Sequence, residues 1–116
     1  LTFIASANAP RTLGASVRFC DSIGAADLTI DPASVAAALG PKTKAIIVVH
    51  YAGFACRMEE LRALADARGI PIIEDCAHAL FTQHRGKIGS YDSPRFEDIA
   101  AICGGQRLRR HLIHQQ

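Results

Sequence analysis

Ile70-Pro71-Ile72-Ile73-Glu74-Asp75-Cys76-Ala77-His78-Ala79 is the stretch that decides the fold. An apolar, β-prone run ends abruptly in two acids, and a histidine follows Asp75 three residues later. Upstream, Lys44-Ala45-Ile46-Ile47-Val48-Val49-His50 is a second run of the same kind, rich in β-branched residues. Continuous apolar runs of this length suit strands buried on both faces of a parallel sheet. Between them, Met58, Leu61, Leu64 and Ala65 recur at helical spacing, with Glu59, Glu60, Arg62, Asp66 and Arg68 elsewhere. That is an amphipathic helix over residues 58–68, stopped by Gly69. Strand, helix and strand make a βαβ unit, which is parallel and right-handed almost without exception. The class is therefore α/β. Ligands of such sheets bind at the carboxyl ends of the strands, which is where His50 and Asp75 fall.

The flanks extend the pattern. Residues 2–13 are Ala-rich and end at Gly14, as a helix does, although Pro10 weakens its last turn. Residues 16–21 alternate apolar with polar and read as a short strand. Asp31-Pro32 opens a helix that runs to Leu39, with the acid as N-cap and the proline at the first helical position. Ala52-Gly53 turns the chain after the first buried strand, and residues 81–88 read as a small hairpin around Gly86-Lys87. After Ser90 the pattern degrades to one amphipathic stretch, residues 96–103, then Gly104-Gly105 and a basic, polar end.

Bulk properties narrow the function. A chain of 116 residues with 49% hydrophobic and 21% charged content is globular, and one domain is the natural count. A formal charge of +2 gives no electrostatic basis for a nucleic-acid partner, and Arg107, Arg109, Arg110 and His111 read as a solvated face or tail. No apolar run approaches the roughly 18 residues of a membrane span, and no signal peptide opens the chain. Cys20, Cys56, Cys76 and Cys103 are widely spaced, so reduced thiols in a cytoplasmic protein are expected. A zinc site from His50, Cys56, Cys76 and His78 matches no common finger or ribbon spacing, and no metal is expected. A phosphoacceptor or nucleotide-binding domain built on Asp75 lacks a Gly-x-Gly-x-x-Gly turn and a Walker lysine.

Four segments in series carry a resemblance. They are Thr2-Phe3-Ile4-Ala5-Ser6-Ala7-Asn8-Ala9, Lys42-Thr43-Lys44-Ala45-Ile46-Ile47-Val48-Val49-His50-Tyr51-Ala52-Gly53, Glu74-Asp75-Cys76-Ala77-His78-Ala79 and Arg85-Gly86-Lys87-Ile88-Gly89-Ser90. In order and spacing they resemble the DegT/DnrJ/EryC1/StrS group of pyridoxal-phosphate sugar aminotransferases. The resemblance implies a piece of the large domain of a fold-type-I transferase, a three-layer sandwich with a mostly parallel sheet. It covers residues 1–90, and residues 91–116 are either a frameshift product or a genuinely divergent end.

The resemblance also implies roles. Asp75 matches the acid that pairs with the cofactor's pyridine nitrogen, keeping the ring positive and able to accept electrons. His78 matches a position that contacts the ring or its phenolic oxygen, with a structural loop histidine as the competing reading. Phe3 falls where an aromatic ring stacks on the cofactor face, with a plain core aromatic as the alternative. His50 is read as lining the substrate site. Glu74, one residue from Asp75, points to the opposite face of its strand and is read as structural. The expected partners are a nucleotide-linked keto sugar, glutamate as amino donor and a second subunit in a homodimer.

One part of the chemistry is missing. Transamination needs a lysine for the Schiff base and the proton transfer. The family's spacing from Asp75 reaches Cys103, with Asp98 at the position of a phosphate-holding serine. Neither side chain can substitute, and no lysine occurs after Lys87, itself a turn position in the family. The family's phosphate-cradling segment falls before residue 1 and its substrate-binding domain after residue 116. The expectation is an aminotransferase fragment inactive alone. The alternative is a non-catalytic α/β binding module of the same ancestry.

Overall fold

The computed structural model describes residues 2–79, 82–84 and 87–88. Three helices and four strands occur in it: α1 (Ile4–Thr12), α2 (Pro32–Ala38), β1 (Ile46–Val49), α3 (Met58–Asp66), β2 (Ile72–Asp75), β3 (Gln83–His84) and β4 (Lys87–Ile88), with a 3-10 turn at Tyr51–Gly53. The βαβ unit forms as its sequence demands. β1 and β2 pair in parallel, with Ile46 opposite Ile72 and Val49 opposite Asp75. The ladder runs one residue further, since His50 N–H donates to the Asp75 carbonyl at 3.2 Å.

Each helix end is written locally. The Asp31 carboxylate accepts from Ala33 N–H at 2.9 Å, and Pro32 occupies the first helical position of α2. α3 ends where Gly69 takes φ +60, so that Gly69 N–H reaches the Asp66 carbonyl and Ile70 N–H the Ala65 carbonyl. A side chain at that dihedral would crowd the following carbonyl, which is why glycine stops the helix here.

Alternation along the strands makes three layers. Val35 of α2, Ile46 and Val48 of β1, Cys56, Met58, Leu61 and Ala65 around α3, and Ile72 of β2 form the core on one face. Ile47, Val49, Ile73 and Asp75 point to the other face, where α1 lies. The two faces are unequal. Ile46 and Val48 are buried, whereas Ile47 and Val49 are only half-buried, so the two-sided burial expected of this strand is met on the α3 side alone. Among the described residues, α1 contributes one buried side chain to that second face, Ala7.

Residues 16–21 correct the sequence reading. They run without a ladder, and the chain makes only an isolated antiparallel bridge between Ser22 and Ile30 just beyond them. Alternation marks a half-exposed extended segment, but a strand also needs a neighbour to pair with. Asp31 N–H donates to the Asp21 carbonyl at 2.9 Å at its far end, which is too little to make a ladder. β3 and β4 pair antiparallel as the expected hairpin. The amphipathic stretch at 96–103, Cys103 and the basic tail lie outside the described residues.

Candidate cofactor-binding site

The carboxyl ends of β1 and β2 bring four sequence-marked groups to one end of the sheet and divide them between its faces. Asp75 closes β2 on the α1 face. Its Oδ2 accepts from Ser6 Oγ of α1 at 2.5 Å, and its Oδ1 accepts from Ala77 N–H at 3.1 Å. These two bonds hold the carboxyl below the usual aspartate range, the Ser6 hydroxyl contributing most and Ala77 N–H next, against a smaller opposing effect of burial. His78 and His50 add weaker favourable fields. Asp75 is thus an oriented carboxylate, with lone pairs left over on both oxygens.

His78 sits on the loop after β2, exposed, with its ring edge-on to Tyr51 at a centroid distance of 5.7 Å. Its Nδ1 accepts from Ala52 N–H at 3.4 Å. That contact places the ring proton on Nε2, which points a donor away from the turn. The turn itself is shaped for this approach. Ala52 takes φ 53 and Gly53 φ 85, and a Cβ on Gly53 would meet the His78 carbonyl at 3.2 Å.

Phe3 precedes α1 as its N-cap residue, one turn before Ser6, and is 60% exposed.

His50 belongs to the other face. Its side chain and that of Glu74 are 5% and 2% exposed, and His50 Nε2 lies 3.0 Å from Glu74 Oε2. Its Nδ1 accepts from Cys56 N–H at 3.1 Å. Both ring nitrogens are therefore engaged inside the protein, and His50 anchors the end of β1 to β2. Glu74 is structural, as its place on the strand required.

The ligating atoms of His50, Glu74 and Cys76 lie within 4.8 Å of one another. The donor chemistry does not suit a metal. Nδ1 accepts a backbone N–H, so Nε2 must carry the proton and has no lone pair for an ion; moving that proton would break the Cys56 bond. Burial, then the charges of Glu74 and Asp75, push the Cys76 thiol up. Cys56, the other sulfur of the expected zinc set, donates to the Val49 carbonyl at 3.4 Å.

The likeness to known proteins converges on one family. A profile described as the DegT/DnrJ/EryC1/StrS aminotransferase family matches residues 1–101. The chain belongs to this family. Beyond residue 90, the match continues into the segment that sequence reading had set apart. The chain is 44% identical over 100 residues to L-glutamine:2-deoxy-scyllo-inosose aminotransferase of Streptoalloteichus tenebrarius, covering 75% of this chain and 24% of that one. Among solved structures, it superposes on 3-amino-5-hydroxybenzoic acid synthase with TM-score 0.74 and 41% identity, covering 79% of this chain and 24% of the other. It superposes on DesI, solved in the presence of its TDP-sugar product, with TM-score 0.70 and 38% identity, covering 76% and 22%. The chain spans about a quarter of the length of the curated relatives it matches. DegT-family aminotransferases are pyridoxal-phosphate enzymes of fold type I, and this βαβ unit is a piece of that α/β architecture.

The site fits the ring of this cofactor on one count: an ionised carboxylate at the strand end, held from behind, suits a protonated pyridine nitrogen. It does not supply the lysine. Lys42 and Lys44 are exposed ahead of β1, at the end of the sheet opposite Asp75. Lys87 lies on β4. Ser6 was missed by sequence reading. It stood within a quoted family segment, but nothing in its neighbourhood named its partner 69 residues away.

Proposed function

We propose that this chain supplies the ring-binding end of the large domain of a pyridoxal-phosphate sugar aminotransferase, and that it does not transaminate alone. The observation that carries this is Asp75, delivered by β2 to the carboxyl end of the sheet with both oxygens oriented by Ser6 and Ala77. Asp75 would pair with the pyridine nitrogen, His78 would offer Nε2–H to the ring's oxygen, and Phe3 would cover a face. When bound, the cofactor supplies the electron sink that stabilises negative charge at the substrate carbon. The carboxylate keeps the ring nitrogen protonated, and the fixed strand end keeps the carboxylate in place.

The substrate in this reading is a nucleotide-linked keto sugar, with glutamate as amino donor. DesI with its TDP-sugar product supports a nucleotide-sugar class, whereas the L-glutamine:2-deoxy-scyllo-inosose aminotransferase points to glutamine as donor and to an inosose substrate. A homodimer fits the exposed Phe3, Ile4, Leu13, Phe19 and Phe54. Cys20, Cys56 and Cys76, none of them in a disulfide, fit a cytoplasmic setting, and among the described residues no helix is long and apolar enough to cross a membrane.

The test is incubation of the chain with pyridoxal phosphate, borohydride reduction and peptide mapping. No stoichiometric adduct at a single lysine is expected; a clean one would overturn the claim of inactivity. A non-catalytic binding module of the same ancestry, the second reading, rests on the same missing lysine. It is distinguished by tight binding of a sugar nucleotide with no cofactor present.

A further inference from the structure

Ser6 behaves unlike an ordinary helical serine. A hydroxyl within a helix commonly bonds a carbonyl one turn back. Thr12 of the same helix does this, donating to the Asn8 carbonyl at 3.0 Å. Ser6 instead spends its proton on Asp75 Oδ2, 2.5 Å away across 69 residues of sequence and from another layer of the fold. The helix around it is arranged to permit this. Pro10, four residues on, has no N–H to give the Ser6 carbonyl. The Ser6 turn is fixed instead by its own N–H on the Phe3 carbonyl at 3.1 Å and by the bond to Asp75.

We infer that Ser6 is a positioning residue that aims the Asp75 carboxylate at the ring nitrogen, coupling α1 to the electron sink. This rests on the reading of Asp75 as the pyridine partner. The division of labour is geometric. Ala77 N–H takes one lone pair of Oδ1 and Ser6 one of Oδ2, so the carboxyl plane is fixed while each oxygen keeps a lone pair for a further donor. The titratable groups that also act on Asp75 are His78, on the following loop, and His50, at the end of β1. Neither ring donates a hydrogen bond to the carboxylate, and removing Ser6 leaves both in place.

The experiment needs no Schiff base. The full chain carrying [13C]aspartate is titrated by carboxyl NMR as wild type, Ser6→Ala and Ser6→Thr, with Asp75→Asn identifying the Asp75 signal. Binding of pyridoxamine 5'-phosphate, labelled with 15N in its ring, is measured on the same variants. Alanine is the better helix former, so Ser6→Ala is expected to fold. It should move the Asp75 midpoint up toward the ordinary aspartate range, weaken pyridoxamine phosphate by roughly three- to tenfold, and shift the ring 15N signal toward the unprotonated form. Ser6→Thr should restore all three. An Asp75 titration unchanged by Ser6→Ala, with binding still lost in Asp75→Asn, overturns the inference and leaves the reading of Asp75 standing. Binding unaffected by Asp75→Asn, or absent in the wild type, overturns that reading and with it the link to the ring. The carboxyl titration then still decides whether Ser6 governs Asp75.

Discussion

At the scale of single residues, adjacent positions do opposite jobs because a strand turns each side chain to the other face. Glu74 goes into the core and meets His50, while Asp75 faces α1 and meets Ser6. The Asp75 interaction has a sign that can be measured. Its carboxyl is held below the usual range mainly by the Ser6 hydroxyl, then by Ala77 N–H. Folding therefore favours the ionised form, and this contribution is present in full above the ordinary aspartate pKa of about 3.9. It is lost as the pH falls through the lower folded value. Urea midpoints measured down a pH series should fall more steeply for wild type than for Asp75→Asn below about pH 4. Parallel curves would show that Asp75 gains nothing on folding. The residues most legible in the sequence were those at element ends. Asp75 could be placed because an acid terminates an apolar run, and Glu74 because it is one position away.

At the scale of elements, helix and strand identities followed from local chemistry, and the tight turn between them carries the strain. Tyr51–Gly53 must reverse direction within three residues and still let the loop after β2 approach. Ala52 and Gly53 both take positive φ, and Gly53 lies against the His78 carbonyl while its own carbonyl accepts from Thr82 Oγ1 at 2.6 Å. Gly53→Ala should therefore cost about 1–2 kcal/mol by urea denaturation, from the left-handed dihedral and the tight contact together. Ala52→Gly, which relieves a dihedral without adding an atom, should be neutral or slightly stabilising. Equal losses in the two variants would mean the turn is not strained as described. The element that sequence reading placed wrongly, residues 16–21, shows the limit of pattern. Alternation describes which side chains face water, whereas a strand exists only when another backbone lies alongside it.

At the scale of the whole molecule, the core of the described residues lies on one face of the two-stranded parallel sheet. Leu61, fully buried, packs at its centre with Ile72, Val48 and Cys56. Leu61→Ala should cost about 2–5 kcal/mol, a large share of the roughly 5–15 kcal/mol that a domain has in total. Thermal unfolding followed by circular dichroism should lose its cooperative transition or shift strongly downward. A shift of only a few degrees would place the stabilising core elsewhere. The opposite face is less complete, with Ile47 and Val49 only half-buried. Phe3, Ile4, Leu13, Phe19 and Phe54 are exposed around the molecule.

What the sequence determined by itself is what depends on neighbours along the chain. The two apolar runs, the helical spacing of Met58, Leu61 and Ala65, the Asp31-Pro32 start and the acid closing β2 are local, and each follows from backbone geometry and side-chain periodicity. The absence of a lysine after Lys87 is likewise read directly. Only the tertiary structure decided which groups meet. It gave His50 to Glu74 and Cys56, removing it from any metal, and it gave Asp75 to Ser6. The His50–Glu74 and Ser6–Asp75 pairings join residues 24 and 69 positions apart. Periodicity carries no information about contacts at that separation; they are set when layers pack and each buried polar atom must find its partner.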